Sequence, residues 1–272
     1  HARDFARVRA LIYDRAGISL HEGKQAMVYS RLSRRLRETG HPSFEGYLQW
    51  LESASGAQAQ QEWQEFVNCL TTNLTSFFRE EHHFHTLTDW LKAPGPQPTR
   101  IWCCAASTGE EPYSLAMTVA ETVGLNAPVK ILASDIDTNV LQTASRAVYD
   151  AGARGLSPQR LKQFFLRGKG NNAGFIRVKP ELTKMVEFLQ PDADAVATGR
   201  ALRRGVLPQC DDLFRRPDAA QGAGAHPRGH EAQELAVCRP LRKLHRITRH
   251  LRPQGQDGLR SGLTCVATRI PS

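Results

Sequence analysis

Between Phe5 and Trp90 the apolar residues recur every three or four positions: Phe5, Val8, Leu11 and Ile12, then Met27, Val28, Leu32 and Leu36, then Trp63, Phe66, Val67 and Leu70. This spacing lays one apolar stripe along each of several amphipathic helices and predicts an all-helical domain over residues 1–90. Gly17, Gly40 with Pro42, and the small polar stretch 53–61 read as the turns between helices. The segment "APGPQPT", Ala93 to Thr99, holds three prolines that a helix cannot cross, which predicts a linker over 91–98.

After the linker the period changes. "RIWCCAA" is a short strand-like run, "EPYSLAMTVAETVG" a helix with Pro112 in its first turn and Gly124 at its end, and "VKILASDID" a second strand that ends in acids. Strand, helix and strand at these lengths predict a right-handed βαβ unit of a Rossmann-like parallel sheet. "DTNVLQTASRAVY" reads as the next helix. The alternation then breaks over about 155–188, where "LSPQRLKQFF", the glycine-rich "RGKGNNAG", "FIRVK" and "MVEFL" predict a small inserted antiparallel β-subdomain. The α/β domain is thus expected over 99–189.

Composition alters this picture at the carboxyl end. Net charge is +9, yet residues 190–272 hold 14 of the 36 basic and 8 of the 27 acidic residues, so the tail carries +6 and the rest +3. Every Trp and Tyr precedes Leu189, and of eleven Phe only Phe214 follows it, which leaves the tail little with which to fill a core. No run of about 18 apolar residues occurs, and no charged start is followed by an apolar signal segment, so membrane insertion and secretion are disfavoured and a reducing cytoplasm is expected. The six cysteines show no C-x-x-C spacing; Cys103 and Cys104 sit side by side in an apolar run and suit buried free thiols. Because the first residue is His1, the natural start is expected to lie upstream.

A βαβ start places ligand chemistry at the carboxyl ends of its strands, here "AASTGEEP" and "SDID". A dinucleotide pyrophosphate needs a glycine-rich loop, whereas this loop has only Gly109 and sets Glu110 and Glu111 where the phosphates would lie. These acids suit a cofactor with an adenosine end, no phosphate and a cationic end, which describes S-adenosyl-L-methionine. Asp135, at the tip of the second strand, is placed to accept from both ribose hydroxyls. The plainer alternative has the two glutamates favouring a helix dipole and Asp135 capping the following helix.

"TTNLTSFFRE" (Thr71–Glu80), "AASTGEEPYS" and "LASDIDT" together resemble the CheR-type chemotaxis receptor methyltransferases, as do "LIYDRAGI", "VYSRLSRRLR" and "LSPQRLKQFFLRGKG". The resemblance covers about residues 5–189. It implies methyl transfer from S-adenosyl-L-methionine to glutamate side chains of chemoreceptors, with S-adenosyl-L-homocysteine as product and a monomeric enzyme. It also implies that Asn73, Thr75, Arg79, Glu111 and Asp135 contact the cofactor, with Arg79 orienting charge at the reacting centre. Arg31, Arg34, Arg35 and Arg37 would form a basic helix face for the cytoplasmic helices of the receptor, and the inserted subdomain would take a receptor tail peptide by strand addition. Nucleic acid is not an expected partner. The "HHFH" run, His82, His83 and His85, lacks a convincing set of partner ligands, and no metal is expected.

The resemblance also explains the tail. The family continues with "FCRNVMIYFD" and "GHSENF", and neither occurs here. Codons for "VLPQCDDLFRRPD" (Val206–Asp218), read one base later, permit the first; "ELAVCRPLRKLH" permits "SLLFVGHSENF", "HLRPQGQDGL" permits "IFARKGKTVY", and "PDADAVATGRALRRG" permits "LMQTQWPLGGPFDA". The frame change falls near Gln190 and Pro191. With residues 190–272 out of frame, this chain is expected to lack part of the cofactor pocket, to leave an apolar sheet edge unpaired, and to show poor solubility and little turnover. The competing readings are a non-catalytic basic module that binds receptor or nucleic acid and a nicotinamide-dependent oxidoreductase, the latter opposed by the acidic loop.

Overall fold

The computed structural model describes residues 2–93, 98–191, 233–238 and 264–265. The chain divides into two units, one of residues 1–72 with 136–139 and the adjoining Gln190 and Pro191, the other of 73–135 and 140–189 with the two described tail strands.

The first unit is helical: α1 (Ala2–Ala16), α2 (Gln25–Thr39), α3 (Phe44–Ser53) and α4 (Ala57–Leu70). The stripes close on one another as their spacing requires, and Val8, Ile12, Val28, Leu32, Phe66 and Leu70 are all buried in a shared core. Gly40 ends α2 in the left-handed conformation, φ 74°, a geometry that favours glycine. The polar stretch 53–61 is shorter as a turn than expected: α4 begins within it at Ala57, because alanine and glutamine are good helix formers once Gly56 (φ 89°) has turned the chain.

The core of this unit also holds a charge. Glu62, 6% exposed, accepts from Arg35 and from the hydroxyl of fully buried Tyr47 at 2.7 Å, and burial raises the Tyr47 phenol pKa well above its usual range. The phenol therefore remains a donor. Tyr47→Phe is expected to cost about 1.5–3 kcal/mol, the range for a hydrogen bond to a charged partner, read as a lower urea midpoint with unchanged slope. Cys103 is buried, Cys69 and Cys104 are half-buried, and burial pushes the Cys69 thiol up to about 12.

The second unit opens with α5 (His82–Lys92), whose Phe84, Leu87 and Leu91 are buried in the same core as Tyr113 and Met117 of α6 (Glu110–Val123). The division at 72/73 thus precedes the expected boundary at residue 90 and the linker at 91–98. The apolar face of α5 finds its partners in the α/β unit, which helical periodicity alone could not show.

The main sheet is parallel throughout, in the order β6-β2-β1-β7-β8. Its strands are β1 (Pro98–Cys104), β2 (Lys130–Ser134), β6 (Val186–Leu189), β7 (Gln233–Cys238) and β8 (Thr264–Cys265). Between β2 and β6 lie α7 (Thr138–Arg146), β3 (Val148–Asp150), α8 (Pro158–Phe164), β4 (Phe165–Arg167), β5 (Phe175–Val178) and α9 (Pro180–Thr183). Strands β3, β5 and β4 form a separate antiparallel sheet.

Three expectations change here. The helix after β2 stops at Arg146, and "AVY" leaves it through Ala147 at φ 55° to become β3 of the small sheet, so the inserted subdomain begins near residue 148. "MVEFL" does not belong to that subdomain: β6 pairs with β2, Ile131 opposite Val186. The far edge of β1 is paired as well, Ile101 opposite Leu235 of β7, because "ELAVC" is itself an apolar run able to complete a ladder. The rest of the proposed out-of-frame tail lies outside the described residues. No helix among the described residues is long and apolar enough to cross a membrane.

Candidate functional site

The loop between β1 and α6 is made of residues in unusual conformations. Ala105 (φ 58°), Ser107 (φ 50°) and Gly109 (φ 96°) alternate into the left-handed region, and two of them are not glycine. Such strain persists only where the surroundings enforce it, and it concentrates at functional sites. Here the enforcement is visible. The Ala106 N–H donates to the Ser134 carbonyl at 2.9 Å, the Gly109 N–H to the Ala106 carbonyl at 3.0 Å, and the Tyr149 hydroxyl to the Thr108 carbonyl at 2.9 Å. Burial raises the Tyr149 phenol pKa, so that donor stays protonated. A side chain at Gly109 would meet the Tyr149 hydroxyl at 2.7 Å and Ala144 Cβ at 2.9 Å, so shape as well as φ demands glycine.

Asp135 follows β2 and is 8% exposed. Its Oδ2 accepts the Ser107 N–H at 2.8 Å. The alternative role of helix cap belongs instead to Asp137, whose Oδ1 accepts the Asn139 N–H at 2.9 Å at the start of α7. The two acids of "SDID" are thus separated by function, with Asp135 committed to the loop.

Ser107 makes a second link: its hydroxyl donates to the Asn73 carbonyl at 3.1 Å. One serine therefore ties Asn73, Asp135 and the β1–α6 loop together. Thr75 is half-buried in segment 71–76, which has no regular secondary structure, and Arg79 is exposed, its guanidinium donating to the Leu74 carbonyl at 2.9 Å. Phe78 (φ 51°) and Glu80 (φ 59°) flank Arg79 in left-handed conformations, and the Phe78 N–H donates to Ser114 Oγ of α6 at 3.0 Å. Glu110 and Glu111 occupy the first turn of α6, both half-buried, and the Thr108 hydroxyl donates to Glu110 at 2.6 Å. Ser107 was not singled out from the sequence; it lies inside the motif "AASTGEEPYS", but only its left-handed backbone reveals the role.

The four arginines of α2 are split by the structure. Arg31 donates to the carbonyls of Cys69, in the last turn of α4, and Thr71, just past its end, and Arg35 pairs with Glu62 and Glu38, so both serve the helical unit itself. Arg34 and Arg37 are the exposed pair, Arg34 bonded to Glu38 at 2.8 Å. Of the four arginines expected on one basic face, two are thus engaged within the helical unit and two are exposed. At the histidine run Glu80 lies beside His82 and His83, their donor atoms all within 4.8 Å of one another, the one such group of three among the described residues.

Two family models match in succession, the all-alpha domain of CheR methyltransferases over residues 3–71 and the SAM binding domain of CheR methyltransferases over 73–199. Their junction coincides with the division of the structure. The chain is 50% identical over 187 residues to the chemotaxis protein methyltransferase of Escherichia coli (68% of this chain, 64% of the relative) and 52% identical over 191 residues to chemotaxis protein methyltransferase 2 of Pseudomonas aeruginosa (69% and 66%). Chemotaxis protein methyltransferase 2 of Vibrio cholerae is 32% identical over 231 residues (78% and 77%). The chain thus spans just under two-thirds of the length of the first two.

Proposed function

The chain belongs to the CheR methyltransferase family, and we propose that it binds S-adenosyl-L-methionine and serves the transfer of its methyl group to glutamate side chains of chemoreceptors, giving methyl esters for sensory adaptation. The observation that carries this reading is the double link of Ser107, which joins Asn73 to Asp135 at the end of a parallel sheet, beside the acidic first turn of α6. Asp135 would hold the ribose, Asn73 and Thr75 the adjoining side, and Glu111 the cationic end of the cofactor.

The chemistry asks little of the protein's acids and bases. A glutamate with an ordinary pKa of about 4.3 is already ionised at neutral pH, so its oxygen attacks the sulfonium methyl without a general base. The C–S bond breaks as the O–C bond forms, and the positive sulfonium and negative carboxylate become a neutral thioether and a neutral ester. Alignment and exclusion of water supply the acceleration. Arg79, held in its turn by the Leu74 carbonyl, would orient the carboxylate. Arg34 and Arg37 would meet acidic receptor helices, and the small sheet β3-β5-β4 would take a receptor tail peptide along an edge strand.

The test is incorporation of labelled methyl from S-adenosyl-L-methionine into a chemoreceptor cytoplasmic fragment. The expected product is a base-labile ester absent when the acceptor glutamates are changed to glutamine. Turnover is expected to fall below that of a full-length relative, because the family's later motifs are read here in another frame. Sequencing the gene across the codons for Phe188 to Asp194 checks that cause. Absence of measurable cofactor binding would overturn the assignment of the site, and turnover equal to a full-length relative would overturn the role given to the tail.

A further inference from the structure

We propose that Glu80, His82 and His83 form a surface site for a divalent transition metal, with zinc as its representative ion. All three donors come from one short turn that leads into α5. Glu80 is held at φ 59°, which folds the chain back so that its carboxylate lies 3.9 Å from His83 Nε2 across the first helical residues. The His82 and His83 rings stand 4.1 Å apart, centroid to centroid, at an interplanar angle of 58°. All three donor atoms lie within 4.8 Å of one another. Two imidazoles and a carboxylate are the donor set that borderline divalent ions prefer, and a tetrahedral ion with bonds of about 2.1 Å asks for donors about 3.4 Å apart. The needed closure is within the reach of side-chain rotation, since Glu80 and His82 are exposed. Three protein donors leave the fourth position to water.

The site has a half-sheltered floor, the side chain of His83 being 16% exposed against 40% for Glu80. Its neighbours do not oppose a cation. The Arg79 guanidinium is bonded to the Leu74 carbonyl, and Glu81 lies 3.8 Å from His85 one turn further along, adding negative charge. His85 is 72% exposed and stands outside the donor group, which makes it an internal control. Because Glu80 follows Arg79 directly, an ion held here would stiffen the turn that carries Arg79.

The experiment is calorimetric titration of the full chain with zinc chloride, repeated for Glu80→Gln, His82→Ala, His83→Ala and His85→Ala, with far-ultraviolet circular dichroism to confirm that each variant is folded. One saturable site is expected in the parent chain, weakened at least tenfold in each of the first three variants and unchanged in His85→Ala. Cobalt substitution should give visible absorption of a four-coordinate ion that His82→Ala abolishes. Retention of the site in folded His82→Ala and His83→Ala, equal weakening in His85→Ala, or no saturable zinc binding by the parent chain would each overturn the proposal.

Discussion

Replacement of Asp135 by alanine is expected to weaken S-adenosyl-L-methionine binding at least about a hundredfold. The carboxylate has about four lone-pair sites, and the Ser107 N–H takes one of them at 2.8 Å. In the proposed site two ribose hydroxyls would bond to this 8% exposed carboxylate, contributing about 1.5–3 kcal/mol each, and about 1.4 kcal/mol is a factor of ten. The loss has a second component. Ser107 is held at φ 50° with its N–H on Asp135, so removing the carboxylate also frees the loop to relax toward a commoner backbone. Ser107→Ala separates the two effects: it keeps the N–H bond to Asp135, loses only the hydroxyl that reaches Asn73, and should weaken binding several-fold. Calorimetric titration with the cofactor checks both. Parent-like affinity in a folded Asp135→Ala chain would remove Asp135 from the cofactor site.

How much of this was legible depends on whether local pattern or distant pairing decides each feature. The helical unit was readable because burial of Val28, Leu32 and Leu36 on one stripe is a property of spacing alone. That stripe also contains the reason the arginines divide. Arg31 and Arg35 each stand one position before a buried leucine and reach α4 across the seam, while Arg34 and Arg37 project from the other side. Strands β1 and β2 were legible as well, but the partner of "MVEFL" was not. "FIRVK" and "MVEFL" are equally short and equally apolar, and nothing within either says that β5 pairs antiparallel with β4 while β6 pairs parallel with β2. Likewise the acids of "SDID" look interchangeable as caps. Only the left-handed turn at Ser107, a backbone state that serine does not announce, brings an N–H to Asp135 and leaves capping to Asp137.

The same dependence on backbone state makes Gly155 a sensitive position of the second unit. Gly155 has φ 90°, and a Cβ there would lie 1.8 Å from the Phe77 carbonyl oxygen, a distance at which one of the two backbones must move. Phe77 cannot move freely. Its ring is 1% exposed and packs edge-on against Tyr149 at 4.9 Å and Phe165 at 5.7 Å, and the next N–H is spent on Ser114. Gly155→Ala is therefore expected to cost about 3 kcal/mol or more, the sum of a left-handed alanine and an overpacked contact. Gly17→Ala is the matched control, since Gly17 shares the left-handed conformation (φ 66°) but has nothing within 4 Å of the added carbon, and should cost only about 1–2 kcal/mol. Urea unfolding of both variants distinguishes conformation from contact. Equal losses would mean that φ alone makes Gly155 necessary. A larger loss at Gly155, accompanied by weaker cofactor binding in the fraction that folds, would mean that the close approach to Phe77 is what sets the turn carrying Arg79.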